Sequence, residues 1–233
     1  MPQDENLPSM PPNIPLTREN IRSGRIREWL AQNDKTFRPL SDSTRNASRM
    51  GMFEGGRPTE DVWLFGYGSL IWNPTIEHTE KRLATVHGLH RRFCLWSHQG
   101  RGTPERPGLM LALDRGGCCR GVVYRIPIDR AEDELDIIWR REMVSNSYRP
   151  RWLKAATSEG MVPAIGFVIN RRHERYAGAL PDTAIAHTIA HAHGFLGPCC
   201  EYLFNTVEHL DALGMPDAGL SRLARQVRAA QRA

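Results

Sequence analysis

The stretch VWLFGYGS at residues 62–69 constrains the fold more than any other part of this chain. It starts as an apolar and aromatic run, which is typical of a buried β-strand. It ends in Gly66, Gly68 and Ser69, and a turn with so few side chains lets backbone N–H groups converge on a carboxylate or an oxyanion. Such turns also form for backbone reasons alone. We therefore predict a strand at Val62–Tyr67 that ends in a tight turn, with anion binding as one of two explanations.

The chain has 233 residues, enough for one sizeable domain, and its sequence divides near residue 60. The N-terminal part is polar and rich in proline, except for a helical pattern at Leu16–Gln32 with Thr17 as N-cap. The polar stretch at 33–60 is interpreted as a linker. We expect residues 1–60 to form an extension that is partly disordered with one helix, and residues 61–233 to form the folded domain.

Strand patterns come first in the folded part, and helix patterns come last. Beyond the first strand, Lys81–Leu95 is predicted to hold one or two more strands, and two hairpins follow. Their predicted arms are Gly108–Leu113 with Arg120–Ile126, around a turn at Asp114–Gly117, and Arg151–Ala156 with Val162–Ile169. Helices are predicted at about 129–143, 182–193, 199–213 and 217–231. This order indicates an α+β domain, built as a closed or half-closed barrel with flanking helices.

Charge and cysteine content exclude several classes of protein. The 31 basic and 26 acidic residues give a net charge of +5, and no run of like charges marks a nucleic-acid-binding surface. No apolar run reaches the ~20 residues of a membrane helix, and the N-terminus lacks the basic and apolar start of a signal peptide. Five cysteines, four of them in two adjacent pairs, do not form the framework of a secreted domain. We therefore expect a cytoplasmic protein that binds neither nucleic acid nor membrane.

One carboxylate lies on the apolar face of a predicted helix. In the helix after residue 129, Ala131, Leu135 and Ile138 form the inward stripe, and the next member of that stripe is Glu142. Trp139 lies on the same side. Burial disfavours the charged form of a carboxylate, so the pKa of Glu142 is expected to rise toward the range that serves proton transfer at neutral pH.

Two interpretations of Glu142 are open at this point. It could form a structural ion pair at the helix end with an arginine such as Arg92 or Arg149, because ion pairs commonly place carboxylates there. Alternatively, it could act together with the glycine-flanked turn. An anion-binding turn and an inward carboxylate together describe a site for a small charged substrate that undergoes proton transfer.

The residues of this site resemble a known family. Phe65-Gly66-Tyr67-Gly68-Ser69-Leu70 resembles the signature of the γ-glutamylcyclotransferase superfamily, and FGYGSLIWNP is similar to its ChaC branch, the glutathione-specific γ-glutamylcyclotransferases. Five further segments support the resemblance in the same order: GLHRRFC at 88–94, RGTPERPG at 101–108, GVVYR at 121–125, WRREM at 139–143 and CEYL at 200–203. The resemblance extends over residues 62–227.

The resemblance implies a fold and a reaction. The fold is a mixed β-barrel with flanking helices and a pocket at the barrel mouth. The reaction cyclises the γ-glutamyl group of glutathione to 5-oxoproline and releases Cys-Gly, without a metal or an organic cofactor. The family's catalytic glutamate falls on Glu142, which would act first as the base and then as the acid.

The resemblance also implies which residues hold the substrate. These are Tyr67, Gly68, Ser69, Leu70, Tyr148 and Arg101. The turn would bind the α-carboxylate and position the amine, and Tyr148 would donate to a substrate carbonyl or carboxylate. Arg101 and Arg106 of the RGTPERPG loop would contact the glycyl carboxylate, unless that loop is only a solvated turn.

Other functions are compatible with parts of the sequence. His187 and His191 share a helix face and could bind a metal, although no further ligand completes a familiar spacing. Cys94 could be a nucleophile, but its apolar strand pattern favours a buried thiol. The same fold could serve as a non-catalytic binding module, or act on another γ-glutamyl amine or dipeptide. A chelator or an alkylating agent would inactivate a metal or cysteine enzyme and would spare the cyclotransferase.

Overall fold

A closed five-stranded β-barrel forms the centre of the molecule. The computed structural model describes residues 15–33 and 38–232. The barrel strands are β1 (Val62–Gly66), β2 (Glu80–Ser97), β3 (Gly108–Ile126), β4 (Tyr148–Thr157) and β5 (Gly160–Ile169). Neighbouring strands pair in the order β1-β3-β2-β4-β5, and a parallel pairing of β1 with β5 closes the barrel. The predicted α+β class and the mixed barrel are confirmed.

Helices surround the barrel in the part of the chain that the structure describes. They are α1 (Arg18–Arg22), α2 (Arg25–Asn33), α3 (Asp42–Met50), α4 (Ser69–Trp72), α5 (Ile128–Glu142), α6 (Asp182–His191), α7 (Cys199–Ala212) and α8 (Ala218–Ala230). A 3-10 turn lies at Glu54–Gly56, and β6 (His193–Gly194) pairs with β7 (Gly197–Pro198). None of the helices within these described ranges is both long and apolar enough to cross a bilayer.

The first predicted hairpin is wrong. Residues 108–126 do not turn back at Asp114–Gly117 but continue as the single strand β3, which pairs with β2 along almost its whole length. Gly116 and Gly117 do adopt positive φ angles of 101° and 65°, but the pairing register shifts at Gly88 on the opposite strand. The glycines therefore bend a long strand pair at a β-bulge and do not reverse the chain.

The second predicted hairpin is confirmed, with longer arms. Strands β4 and β5 pair antiparallel from Tyr148 opposite Ile169 to Thr157 opposite Gly160. The turn between them ends at Gly160, whose φ of 116° favours glycine. The four predicted helices correspond to α5, α6, α7 and α8.

The N-terminal segment contains more helix than predicted. Thr17 is the N-cap, and its hydroxyl accepts a hydrogen bond from the Asn20 backbone at 3.2 Å. The predicted single helix is divided into α1 and α2 at Gly24, whose φ is 76°. The disorder expected at the N-terminus concerns residues 1–14, which lie outside the described part of the chain.

Helix α3 lies within the stretch that was interpreted as a linker, and that interpretation is wrong for Asp42–Met50. Its polar sequence has no apolar stripe, so a pattern search finds no helix. Ser41 caps it by accepting a hydrogen bond from the Thr44 backbone at 3.1 Å. Its Ser48 hydroxyl accepts a hydrogen bond from the indole of Trp139 on α5 at 3.3 Å. Capping and tertiary contacts therefore stabilise this helix.

Helix α5 packs against the barrel with the predicted stripe inward. Ala131, Leu135 and Ile138 are fully buried, and so is Trp139, whose ring meets that of Phe167 on β5 edge to face at 5.1 Å. This packing fixes the orientation of the helix. It brings the last residue of α5 to the end of strand β1, where the glycine-flanked turn begins.

Candidate active site

The turn after β1 is held against helix α7. At Gly68 a Cβ atom would lie 2.7 Å from the hydroxyl oxygen of Tyr202, a buried side chain of α7. Packing against Trp72 and Phe93 fixes the tyrosine ring, so it has little room to move aside. The close approach of Tyr202 therefore explains the glycine at position 68.

Arg141 joins the end of α5 to this turn. Its Nε lies 3.0 Å from the Glu142 carboxylate, and its Nη2 donates to the Ser69 hydroxyl at 2.9 Å. Its Nη1 donates to the Asn73 carbonyl and to the Thr75 hydroxyl. Glu142 does form an ion pair, as one interpretation expected, but its partner is the adjacent arginine. Arg141 thus connects the predicted carboxylate directly to the predicted turn.

The pKa of Glu142 is raised above its ordinary value. Burial is the main cause, since the side chain is only 14% exposed and its charged form loses hydration. The positive charge and hydrogen bond of Arg141 oppose this rise without cancelling it. Glu142 therefore holds a proton more readily than a solvated glutamate and is suited to take up and return one.

Three tyrosines surround the carboxylate. The Tyr67 hydroxyl donates to the Phe167 carbonyl at 3.0 Å, and the Tyr148 hydroxyl donates to the Leu111 carbonyl at 2.9 Å. Burial raises the pKa of Tyr67, Tyr148 and Tyr202, and the negative charge of Glu142 raises it further. All three phenols therefore remain protonated hydrogen-bond donors at neutral pH.

These groups line one cavity of about 190 Å³. Six of the seven predicted site residues contribute to it: Tyr67, Gly68, Ser69, Leu70, Glu142 and Tyr148. Arg141, Arg175 and Tyr202 line it as well. The structure thus brings together the turn and the carboxylate that the sequence singled out separately.

Arg101 is the predicted site residue that does not line the cavity. It is buried, and its Nη1 donates to the Pro198 carbonyl at 3.0 Å and lies 3.3 Å from Glu201. Its neighbour Gly100 does line the cavity, as does Arg175, whose Nε donates to the Trp96 carbonyl at 2.7 Å. The arginine that lines the cavity beside Arg141 therefore comes from the loop after β5.

Among the lining residues that the sequence analysis did not predict, three lie close to the predicted polar groups or carry a positive charge: Arg141, Tyr202 and Arg175. Arg141 lies three residues after Ile138 on the inward face of α5, so the stripe that identified Glu142 could also have identified it. Tyr202 lies within the CEYL segment but on no distinctive pattern of its own. Arg175 lies in the irregular loop after β5, and no local sequence pattern indicates that this loop reaches the cavity.

The competing chemistries find little support in this geometry. Cys94 is fully buried, and burial raises the pKa of its thiol to about 12, so the reactive thiolate is disfavoured. The rings of His187 and His191 lie 4.4 Å apart on α6. Within residues 15–33 and 38–232, no third histidine, cysteine or carboxylate joins them in a metal-binding cluster.

Comparison with known proteins gives consistent results. A family model described as "ChaC-like protein" matches residues 62–230. The chain is 46% identical over 169 residues to a protein of Escherichia coli (strain K12) named glutathione-specific gamma-glutamylcyclotransferase, covering 72% of this chain and 73% of that protein. It is 31% identical over 191 residues to the human protein named glutathione-specific gamma-glutamylcyclotransferase 1, covering 80% of this chain and 85% of that protein.

A solved structure shares the fold. It is the crystal structure of a selenomethionine-labelled gamma-glutamyl cyclotransferase specific to glutathione from yeast. The superposition has a TM-score of 0.69 and covers 74% of this chain and 98% of the yeast chain, at 22% sequence identity. At that identity the likeness concerns the fold alone.

Proposed function

The chain belongs to the ChaC-like protein family, and we propose that it is a glutathione-specific γ-glutamylcyclotransferase with Glu142 as its acid and base. One observation carries the proposal: a buried carboxylate of raised pKa is connected through Arg141 to the Ser69 hydroxyl within a single cavity. Such a site suits a small substrate that has one carboxylate to anchor and one proton to exchange.

The proposed reaction is an intramolecular displacement. Glu142 accepts a proton from the α-ammonium group of the substrate, and the freed amine nitrogen attacks the γ-carbonyl carbon. A new C–N bond closes the five-membered ring, the bond to the cysteinyl nitrogen breaks, and Glu142 returns its proton to that leaving nitrogen. The ring nitrogen releases its second proton, which the released amine takes up through Glu142 or solvent. The products are 5-oxoproline and Cys-Gly. Because the nucleophile is tethered to the reacting carbonyl, the protein has to orient it and need not form a covalent intermediate.

The turn after β1 is proposed to hold the α-carboxylate. The Ser69 hydroxyl accepts a hydrogen bond from Arg141, which leaves its own proton available for a substrate oxygen. The backbone N–H groups of Gly68 and Leu70 are the further donors in this proposal. The guanidinium of Arg141 adds a positive charge beside the anchored carboxylate.

Two side chains are assigned to the rest of the substrate. Tyr148 is proposed to donate to the γ-carbonyl oxygen in place of its present bond to the Leu111 carbonyl, and would stabilise the negative charge that develops there. For the glycyl carboxylate, Arg175 is better positioned than the predicted Arg101 because it lines the cavity. The bonds of Arg101 to Pro198 and Glu201 favour a role in holding the neighbouring loop.

We also propose that the protein acts in the cytoplasm. Its five cysteines are all free thiols, which fits a reducing compartment.

The proposed function is tested with a panel of substrates. The purified protein is incubated with glutathione, γ-glutamyl-alanine or a γ-glutamyl amine, and 5-oxoproline is quantified by mass spectrometry. Formation from glutathione alone supports the proposal. Equal formation of 5-oxoproline from all three substrates would support the cyclotransferase reaction but contradict the specificity for glutathione. If a folded protein forms no 5-oxoproline from any of them, a non-catalytic binding module is favoured.

A further inference from the structure

The N-terminal segment contributes a wall to the reaction cavity. Leu16, Ile26 and Leu30 line the same cavity as Glu142 and the glycine-flanked turn. All three precede residue 62, where the family match begins. The barrel therefore does not form this cavity alone, and part of its lining comes from a segment that precedes the residues matched by the family model.

This wall is attached at several points to the segments around the cavity. The Leu16 carbonyl accepts a hydrogen bond from the Asn73 side chain at 2.9 Å, next to the turn. On α2, the Trp29 ring packs on Phe195 with 4.7 Å between ring centroids. The Leu40 backbone donates to the Val144 carbonyl at 3.0 Å, two residues after Glu142. The segment is thus fixed against the loops that follow α4 and α5 and against the loop that precedes α7.

The cavity is lined by both polar and apolar groups. The turn, Arg141, Glu142 and the tyrosines supply the polar groups that the proposed γ-glutamyl half requires. Ile26 and Leu30 of α2, together with Phe195 and Leu196 of the loop that precedes α7, supply aliphatic and aromatic surface. With the γ-glutamyl half bound by the polar groups, the cysteinyl side chain of the leaving group is the part of glutathione that suits this surface, because a thiol behaves as a small hydrophobe.

We propose that Ile26 and Leu30 of helix α2 determine specificity by limiting the size of the leaving group's side chain. This inference rests on the proposed function and extends it to the other half of the substrate. The wall leaves room for the cysteinyl CH2–SH group and excludes an alkyl chain on its sulfur. Truncating either wall residue makes room for such a chain, and one methylene group in an apolar pocket changes kcat/KM by about 10-fold or more.

The test measures kcat/KM for glutathione, S-methylglutathione and S-butylglutathione. The variants are Ile26→Ala and Leu30→Ala, and the matched control is Ile21→Ala. Ile21 is buried in the same segment but does not line the cavity. We expect the wild type and the control to prefer glutathione strongly, and the wall variants to raise the S-butyl to glutathione ratio at least about tenfold.

A second readout separates this inference from the proposed function. Binding of glutathione and S-butylglutathione is measured by calorimetry in the Glu142→Gln background, with and without Leu30→Ala. Three results would overturn this inference and leave the proposed function intact. The S-butylglutathione to glutathione ratio could stay unchanged in the wall variants, it could change equally in Ile21→Ala, or the wild type could convert S-butylglutathione efficiently. A wild type that neither binds nor converts glutathione would overturn both proposals.

Discussion

At the scale of single residues, the site depends on two neighbours with opposite charge. Glu142 is the last residue of α5, and the guanidinium of Arg141 contacts both its carboxylate and the Ser69 hydroxyl. Burial raises the pKa of Glu142, while Arg141 lowers it. We infer that Arg141 is a positioning residue that also sets the pH range in which Glu142 can act as a base.

Replacing Arg141 should change the pH dependence of the reaction. The base must be deprotonated, so kcat/KM falls as the pH decreases through the pKa of Glu142. Arg141→Gln removes the charge that lowers this pKa, and the acid limb of the pH profile should move to higher pH. At neutral pH we also expect kcat/KM to fall about tenfold or more, because charge-assisted hydrogen bonds to Glu142 and Ser69 are lost.

The matched control for this change is Arg141→Lys. Lysine keeps the positive charge beside Glu142, but its single nitrogen cannot span the four acceptors that the guanidinium contacts through three nitrogens. We expect its acid limb to stay near that of the wild type while KM increases. An acid limb that is the same in wild type and Arg141→Gln would show that Arg141 does not control the ionisation of Glu142.

At the scale of secondary structure elements, the segment before the barrel is attached through one ion pair in particular. Both Nη atoms of Arg18 on α1 contact the Glu134 carboxylate on α5, at 2.5 and 2.6 Å. The Arg18 side chain is 30% exposed, whereas that of Glu134 is only 2% exposed. Glu134 also accepts a hydrogen bond from the Glu77 backbone at 3.0 Å. A buried carboxylate on the catalytic helix thus depends on the N-terminal segment for its countercharge.

Arg18→Met should therefore destabilise the protein through Glu134. Removing one partner of a buried pair leaves an uncompensated charge, and we expect the free energy of unfolding to fall by about 2 kcal/mol or more. Urea denaturation measures this change. In the double variant Arg18→Met/Glu134→Gln the loss should be much smaller, because the amide is neutral and still accepts from Glu77. Equal losses in the single and double variants would contradict this account.

The secondary structure elements also show what sequence patterns can and cannot predict. Strand β1 and the inward stripe of α5 were predictable because each depends on a local sequence pattern, an apolar run for the strand and a helical periodicity for the stripe. The course of β3 was not, since the glycines at 116 and 117 fit a turn as well as a bulge, and the choice depends on pairing with β2. Helix α3 and the cavity position of Arg175 were also missed, because contacts between distant parts of the chain determine them.

At the scale of the whole molecule, the structure combines a barrel shared with the family and a segment that completes its cavity. The family match begins at residue 62, yet the segment before it supplies both the countercharge of the buried Glu134 and three cavity-lining side chains. Sequence analysis treated residues 1–60 as an extension beside the folded domain. We propose instead that the described part of this segment belongs functionally to the catalytic domain.

Deleting residues 1–60 should leave the barrel folded but less stable. The described core strands and α5–α8 make up most of the buried apolar residues, so we expect a cooperative thermal transition with native far-UV circular dichroism. The Tm should nevertheless be lower, because Glu134 loses Arg18. Adding Glu134→Gln to the truncated protein should recover part of that loss. An unchanged Tm after deletion would contradict the proposed packing of α1 and α2.

The central claim is that Glu142 transfers the proton, and the most direct test compares Glu142→Gln with the wild type. The amide keeps the size and position of the side chain but cannot accept the proton from the substrate amine. We predict that the dissociation constant for glutathione, measured by calorimetry, changes little, while the first-order rate of 5-oxoproline formation falls by about 10²–10⁴-fold. A Glu142→Gln protein that forms 5-oxoproline at the wild-type rate would contradict the claim.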